Sequence, residues 1–199
     1  TVDSSINWTL GNFVENLTLT GSGNLSGIGN ALANTLRGNA GINVLDGKAG
    51  VDVLDGGEGS DIYLVGLASD HAAAEIADSG NVGSDEVRFA ASTSGTLTLF
   101  AGDRGIERVV IGKGLGEVAV SSGTLALDVD ASRVANALSV LGNAGANVLT
   151  GTAYADRLDG GAGADRLIGG GGADTLIGGA GNDVYVVDSG DAIIEASTL

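Results

Sequence analysis

Along two stretches of this chain a large apolar residue stands at every ninth position: Leu36, Leu45, Leu54 and Tyr63 in the first, Leu149, Leu158, Leu167, Leu176 and Tyr185 in the second. The residues between are rich in glycine, aspartate and asparagine. A fixed short period of this kind sets the whole architecture. The three residues centred on each apolar position form a minimal strand with one inward side chain. The six before it can turn tightly and reach positive φ without a Cβ penalty. Turn plus strand is a half-coil, and two half-coils close a coil of about eighteen residues. Units n and n+2 then stack on the same side, and the apolar ladder becomes a thin aliphatic core.

The clearest run, Gly160 to Val186, reads GGAGADRLI, GGGGADTLI, GGAGNDVYV without insertion. Glycine holds the first and fourth positions (Gly160, Gly163, Gly169, Gly172, Gly178, Gly181) and also the second; Asp165, Asp174 and Asp183 hold the sixth. Such turns aim backbone carbonyls inward, and each aspartate adds a carboxylate to the same concavity. Carbonyl and carboxylate oxygens are hard ligands that suit Ca²⁺, with its high coordination number and tolerant geometry. The natural ion position lies between stacked turns, shared by two of them.

The first block runs GNALANTLR, GNAGINVLD, GKAGVDVLD, GGEGSDIYL from Gly29 to Leu64, with Asn34, Asn43, Asp52 and Asp61 sixth. Gly47, Gly56 and Gly59 are the turn glycines of its two aspartate units. The second block opens on GNAGANVLT and GTAYADRLD, with Asn147 and Asp156 sixth. Asparagine offers a neutral oxygen and no charge, so units bearing it are expected to be shape-preserving coils with weaker or absent ion sites. Asp70 falls on the sixth position of a continued frame after the first block, and Asp188 or Asp191 follows the second. These are candidates to close the terminal sites.

The units resemble the nonapeptide G-G-x-G-x-D-x-U-x of the RTX (repeats-in-toxin) family, in which U is large and apolar; the three tandem units match in full. The resemblance implies an all-β chain: a parallel β-roll solenoid with calcium in its Gly/Asp turns, right-handed as crossover chirality favours. It implies metal ligands at Asp52, Asp61, Asp156, Asp165, Asp174 and Asp183, joined by Asp70, Asp191, Asn43 and Asn147 and by the turn glycines. It also implies a secreted bacterial protein, exported by a type I system and folding only where calcium is plentiful.

The flanks are less regular. Residues 1–28 alternate in short runs (Trp8 to Leu10, Leu17 to Leu19) and are expected to form irregular β-coils capping the roll. The first block then spans 29–65. Residues 66–141 read as metal-free bridging coils, with apolar runs at Leu97–Phe100, Val109–Ile111, Val118–Val120, Leu125–Leu127 and Leu138–Val140. HAAAEIA, from His71, is short and uncapped, and an extended bend is expected there rather than a helix. Residues 142–199 hold the second block and the start of another bridge. IERVVIG (Ile106 to Gly112) parallels VENLTLTG (Val14 to Gly21), suggesting two copies of one plan. The chain opens on Thr1 and only thirteen residues follow the last unit, so we expect a piece of a longer protein lacking its export signal.

Composition sharpens this reading. Glycine is 36 of 199 residues, proline and cysteine are absent, and 43% of the chain is hydrophobic with few aromatics. Twenty-five Asp and Glu against nine Lys and Arg give a net charge of −16. Nucleic acid and anionic lipid are therefore poor partners, and no long apolar run suits membrane insertion. About six to eight Ca²⁺ would cancel most of this charge. A buried leucine contributes roughly 1.5–3 kcal/mol, too little to order so many glycines at about 1–2 kcal/mol of backbone entropy each. The expectation is that the chain is largely unfolded without metal.

Catalysis finds little support. His71 is the only histidine and there is no cysteine. That excludes a cysteine nucleophile and makes Zn²⁺ a poor fit. The acids in register have a better use as metal ligands. The fragment is therefore expected not to be an enzyme. It reads as a structural or adhesive repeat module, whose partners are calcium and neighbouring repeats of the same chain. The alternative is the C-terminal module of a secreted protease, lipase or alginate epimerase, aiding folding or holding extracellular polysaccharide. The scattered cations (Arg37, Lys48, Arg88, Arg104, Arg108, Lys113, Arg133, Arg157, Arg166) offer no evident basic groove for that role.

Overall fold

A computed structural model describes residues 1–73, 75–113 and 121–195. Nineteen strands are found among them: β1 (Val2–Ser4), β2 (Trp8–Thr9), β3 (Asn16–Leu19), β4 (Ser26–Ile28), β5 (Thr35–Arg37), β6 (Val44–Asp46), β7 (Val53–Asp55), β8 (Ile62–Val65), β9 (Glu86–Phe89), β10 (Gly95–Thr98), β11 (Arg108–Ile111), β12 (Leu127–Asp130), β13 (Ser139–Leu141), β14 (Val148–Thr150), β15 (Arg157–Asp159), β16 (Arg166–Ile168), β17 (Thr175–Ile177), β18 (Val184–Val186) and β19 (Ala192–Ile194). Within the repeat blocks each strand covers positions seven to nine of its unit, with β8 running one residue further.

Every strand pair is parallel, and most unite alternate strands in sequence. One face of the solenoid is a continuous ten-stranded sheet, ordered β19-β17-β15-β13-β11-β9-β8-β6-β4-β2. The strands between them form a four-stranded sheet, β1-β3-β5-β7, and a five-stranded sheet, β10-β12-β14-β16-β18. Register within the blocks is eighteen residues per coil: Leu36 lies beside Leu54, Leu149 beside Leu167 and Leu158 beside Leu176. This is an all-β parallel solenoid, the architecture the nine-residue period predicts.

The apolar ladder is the core. Leu36, Leu45, Leu54, Tyr63, Leu149, Leu158, Leu167 and Leu176 are buried, and Tyr185 packs half-buried at the end. The four-residue strands β9 to β12, like β8 with its buried Tyr63 and Val65 at the end of the first block, differ from the three-residue strands of the other units. They send two side chains inward each: Val87 and Phe89, Leu97 and one beyond its strand at Leu99, Val109 and Ile111, Leu127 and Val129.

Several sequence expectations shift. β12 begins at Leu127, so Leu125–Leu127 marks only its entrance. Val118–Val120 lies outside the described residues. The echoing segments sit on different faces: Val14–Gly21 supplies β3 of the four-stranded sheet, and Ile106–Gly112 supplies β11 of the ten-stranded one. Each supplies a four-residue strand at the same place in its segment.

The break between the two shorter sheets is the bridge after the first block. A 3-10 turn at Ala68–Asp70 leads into His71, and described residues 71–73 and 75–77 are not helical, as expected. His71 is buried, with Nε2 2.8 Å from Asp103 Oδ2 and the ring tilted against Phe100. Its Nδ1 lies 3.2 Å from Glu75 Oε2, without the alignment of a hydrogen bond. Burial opposes its charge, but Asp103 and then Glu75 outweigh that and raise its pKa to about 9. The pair ties the bridge to the next coil.

Candidate metal centre

Each turn is built by two close approaches. At position one, a Cβ on Gly160 would stand 2.4 Å from Asp165 Oδ2 and 2.7 Å from the Gly178 carbonyl of the unit above. Only glycine lets the sixth-position side chain fold back beneath the turn. All nine units begin with it. The other carboxylate oxygen has a fixed partner. Asp165 Oδ1 accepts the Asn147 amide at 2.8 Å, Asp174 Oδ1 the Asp156 amide at 2.8 Å, and Asp183 Oδ1 the Asp165 amide at 2.8 Å. In the first block Asp52 and Asp61 do the same for Asn34 and Asn43, both at 2.7 Å. The sixth position of one unit thus ties down the sixth position two units earlier.

The remaining oxygen of these residues is the decisive feature. Asp52, Asp61, Asp165, Asp174 and Asp183 each hold Oδ2 buried without a hydrogen-bond partner. Asp52, Asp61, Asp165 and Asp174 are at most 1% exposed. Leaving a buried carboxylate oxygen unpartnered is strongly unfavourable. Burial raises the pKa of Asp52 and Asp165 to about 6 and of Asp61 to about 7, and it raises Asp174 as well. The ion pairs found among the described residues involve none of these five aspartates. No cluster of three or more His, Cys, Asp or Glu suited to a metal occurs there either. A cation at these turns would therefore meet one carboxylate per turn and otherwise backbone carbonyls, an all-oxygen set suited to a hard ion such as Ca²⁺.

The family model of the RTX calcium-binding nonapeptide repeat, which describes four copies of the unit, matches residues 28–63, 141–176 and 159–194. Both blocks belong to the RTX calcium-binding repeat family. No curated protein and no solved structure matches the chain. The five aspartates with an unpartnered oxygen all lie within the RTX matches, so the residues present fit the ion that the family binds.

The other candidates divide. Asp191 takes the sixth position above Asp174, whose amide it accepts at 3.0 Å, but its Oδ2 accepts the Asp188 amide at 2.8 Å. Asn43, Asn147 and Asp156 stand in register, yet their side-chain oxygens already accept hydrogen bonds inside their own turns. Asp70 is displaced. Leu54 bridges Ile76, so the coil above Asp52 is four residues longer than the eighteen-residue repeat and Asp70 falls in the 3-10 turn. Only its charge reaches Asp52, raising that pKa after burial, Glu75 and Asp46.

The sequence reading missed a tenth unit. GNVGSDEVR, Gly80 to Arg88, has glycine first and fourth, Asp85 sixth and Val87 eighth, set back by the fifteen residues 65–79. Val87 pairs with Tyr63 in β8, and Asp85 Oδ1 accepts the Asp61 amide at 2.7 Å. Asp85 is buried and its pKa rises to about 7 for that reason. The pattern was present in the sequence; only the frame had slipped.

Proposed function

We propose that this chain is a calcium-folded structural module of a secreted bacterial protein, serving as a rigid repeat region of an adhesive or surface-exposed parent. The supporting observation is the set of five buried, unpartnered aspartate oxygens in stacked RTX turns. In this reading Asp52, Asp61, Asp165, Asp174 and Asp183 hold Ca²⁺ together with turn carbonyls, and the bound ion neutralises charge that otherwise opposes stacking. Extracellular modules work with affinities of about 10⁻⁴–10⁻³ M, so the aspartate turns stay open inside the cell and close outside.

The module carries no catalysis of its own. Its one histidine is locked between Asp103 and Glu75 and serves as a clasp. A polysaccharide groove is disfavoured: Arg88 and Arg108 both pair with Glu86, with Arg108 at 2.9 Å. Among the described residues no helix is long and apolar enough to cross a membrane.

Calorimetric titration with Ca²⁺, followed by circular dichroism with and without chelator, tests the reading. Uptake of about five ions with a gain of β signal supports it. A spectrum and a heat trace indifferent to calcium would refute it.

A further inference from the structure

The nine in-register units contain two kinds of turn, and the backbone at position two separates them. Gly57, Gly161, Gly170 and Gly179 all have positive φ there, and so does Lys48 at 71°. These five belong to the units of Asp61, Asp165, Asp174, Asp183 and Asp52, the same five whose Oδ2 has no partner. In the other four units Asn30, Asn39, Asn143 and Thr152 hold position two, and none is in the positive-φ region. Their amides point at the sixth side chain instead: Asn30 to Asn34 Oδ1 at 2.7 Å, Asn39 to Asn43 at 2.6 Å, Asn143 to Asn147 at 3.0 Å, Thr152 to Asp156 Oδ2 at 2.5 Å. Lys48 shows that the conformation, not the absence of a side chain, accompanies the open oxygen.

The side chain at position two completes the closure. Its oxygen accepts the position-four amide in all four units, from Leu32, Gly41, Gly145 and Tyr154. The asparagine NH₂ then reaches the turn below. Asn30 Nδ2 donates to the Gly11 and Val14 carbonyls at 2.9 and 2.8 Å, and Asn39 Nδ2 to those of Thr20 and Gly23 at 3.2 and 3.1 Å. Asn143 Nδ2 donates to the Leu125 carbonyl at 3.0 Å. A partial positive charge thus faces converging carbonyl oxygens of the stacked turn, as a cation would.

The sixth residue matches the second chemically. Asn43 and Asn147 donate Nδ2 to the oxygens of Asn39 and Asn143 at 3.0 and 3.2 Å, where a carboxylate would meet oxygen with oxygen. Threonine carries a donor, and Thr152 Oγ1 lies 2.9 Å from Asp156 Oδ2, so there an aspartate is accommodated. The unit Gly80–Arg88 is of neither kind: Asn81 is exposed.

We propose that position two decides whether a turn of this chain takes calcium. A left-handed residue leaves the sixth-position oxygen open to the ion; asparagine or threonine closes the turn with its own amide or hydroxyl, and asparagine stands in for the metal against the turn below. The units at Gly29, Gly38, Gly142 and Gly151 are then calcium-independent clasps on which each calcium stack is founded. This rests on the calcium reading above.

The test exchanges the two turn types in the full chain and counts ions by calorimetry, with circular dichroism in saturating Ca²⁺ as the folding readout. Asn39→Gly with Asn43→Asp should add one ion to the wild-type count, and Asn43→Asp alone should add none. Gly161→Asn with Asp165→Asn should remove one ion while the β spectrum in calcium persists. Equal counts in wild type and both double variants, or an ion gained by Asn43→Asp alone, would overturn the proposal. So would a double variant that fails to fold in calcium, because the proposal makes the two turns interchangeable on one coil. Wild type binding one ion per unit overturns it and spares the calcium reading; wild type binding none removes the calcium reading itself.

Discussion

Lys48 takes a conformation that its neighbours in the same role reach with glycine, at φ 71°. The left-handed region costs a side-chain-bearing residue about 1–2 kcal/mol. Its contact to Asp46, 2.8 Å from Nζ to Oδ2, is half exposed and worth little after screening. Part of the gain from glycine is lost to the greater freedom of the unfolded chain. Lys48→Gly should therefore stabilise the calcium-bound protein by about 0.5–1 kcal/mol in urea denaturation. A loss of stability would show that the turn around Asp52 is unstrained. The converse substitution is harsher. Gly170 has φ +101°, and a Cβ there would lie 1.9 Å from the Thr152 carbonyl. Gly170→Ala should cost at least about 2 kcal/mol and lower the apparent calcium affinity of the second block. Unchanged affinity in calorimetry would mean that the stacked turns tolerate separation.

At the scale of the element, the bridge after the first block depends on a charge. The pKa of His71 lies at about 9, above its ordinary value, because Asp103 and Glu75 outweigh the burial that disfavours the cation. A histidine raised in the fold stabilises it fully below about 6.5, and that contribution disappears as pH rises through about 9. Stability in saturating calcium should fall by on the order of 2–3 kcal/mol between pH 6.5 and 9.5, and His71→Gln should flatten the slope. An equally steep slope in that variant would place the titrating group elsewhere. This bridge is also where the sequence was least legible. Within the blocks every unit places one inward residue at position eight, so a nine-residue count finds strand, core and sixth-position carboxylate together. The fifteen residues 65–79 break that count. Asp70 then inherits a frame the chain has left, and Asp85, six residues into a recognisable unit, is passed over. Position two was passed over for a different reason. Asn39 or Asn143 in place of glycine reads as decay of the motif, and only the hydrogen bonds of the folded turn show it as a second way of closing it.

For the whole molecule, the turns proposed to take calcium and the better-packed coils lie in different places. The sequence led to the expectation that the chain is largely unfolded without metal. The core is thin along the blocks, where most half-coils bury one ladder side chain such as Leu167 or Leu176. Strands β9 and β11 bury two each, Val87 with Phe89 and Val109 with Ile111, as does β12 with Leu127 and Val129. A second buried side chain adds roughly 1.5–3 kcal/mol per half-coil, about the scale of ordering one or two further residues. In a solenoid each coil leans mainly on its neighbours, so stability can differ along the axis and open locally. Chelation should accordingly strip amide hydrogen-exchange protection from residues 47–64 and 160–186 while the amides of β9, β11 and β13 stay protected. The clasped units at 29–46 and 142–159 should hold intermediate protection, because their turns are closed by side chains rather than by ions. Readdition of Ca²⁺ should restore the outer segments without altering the middle. Uniform loss of protection along the chain would show instead that the ions support one cooperative unit, and that the doubly packed strands cannot stand without them.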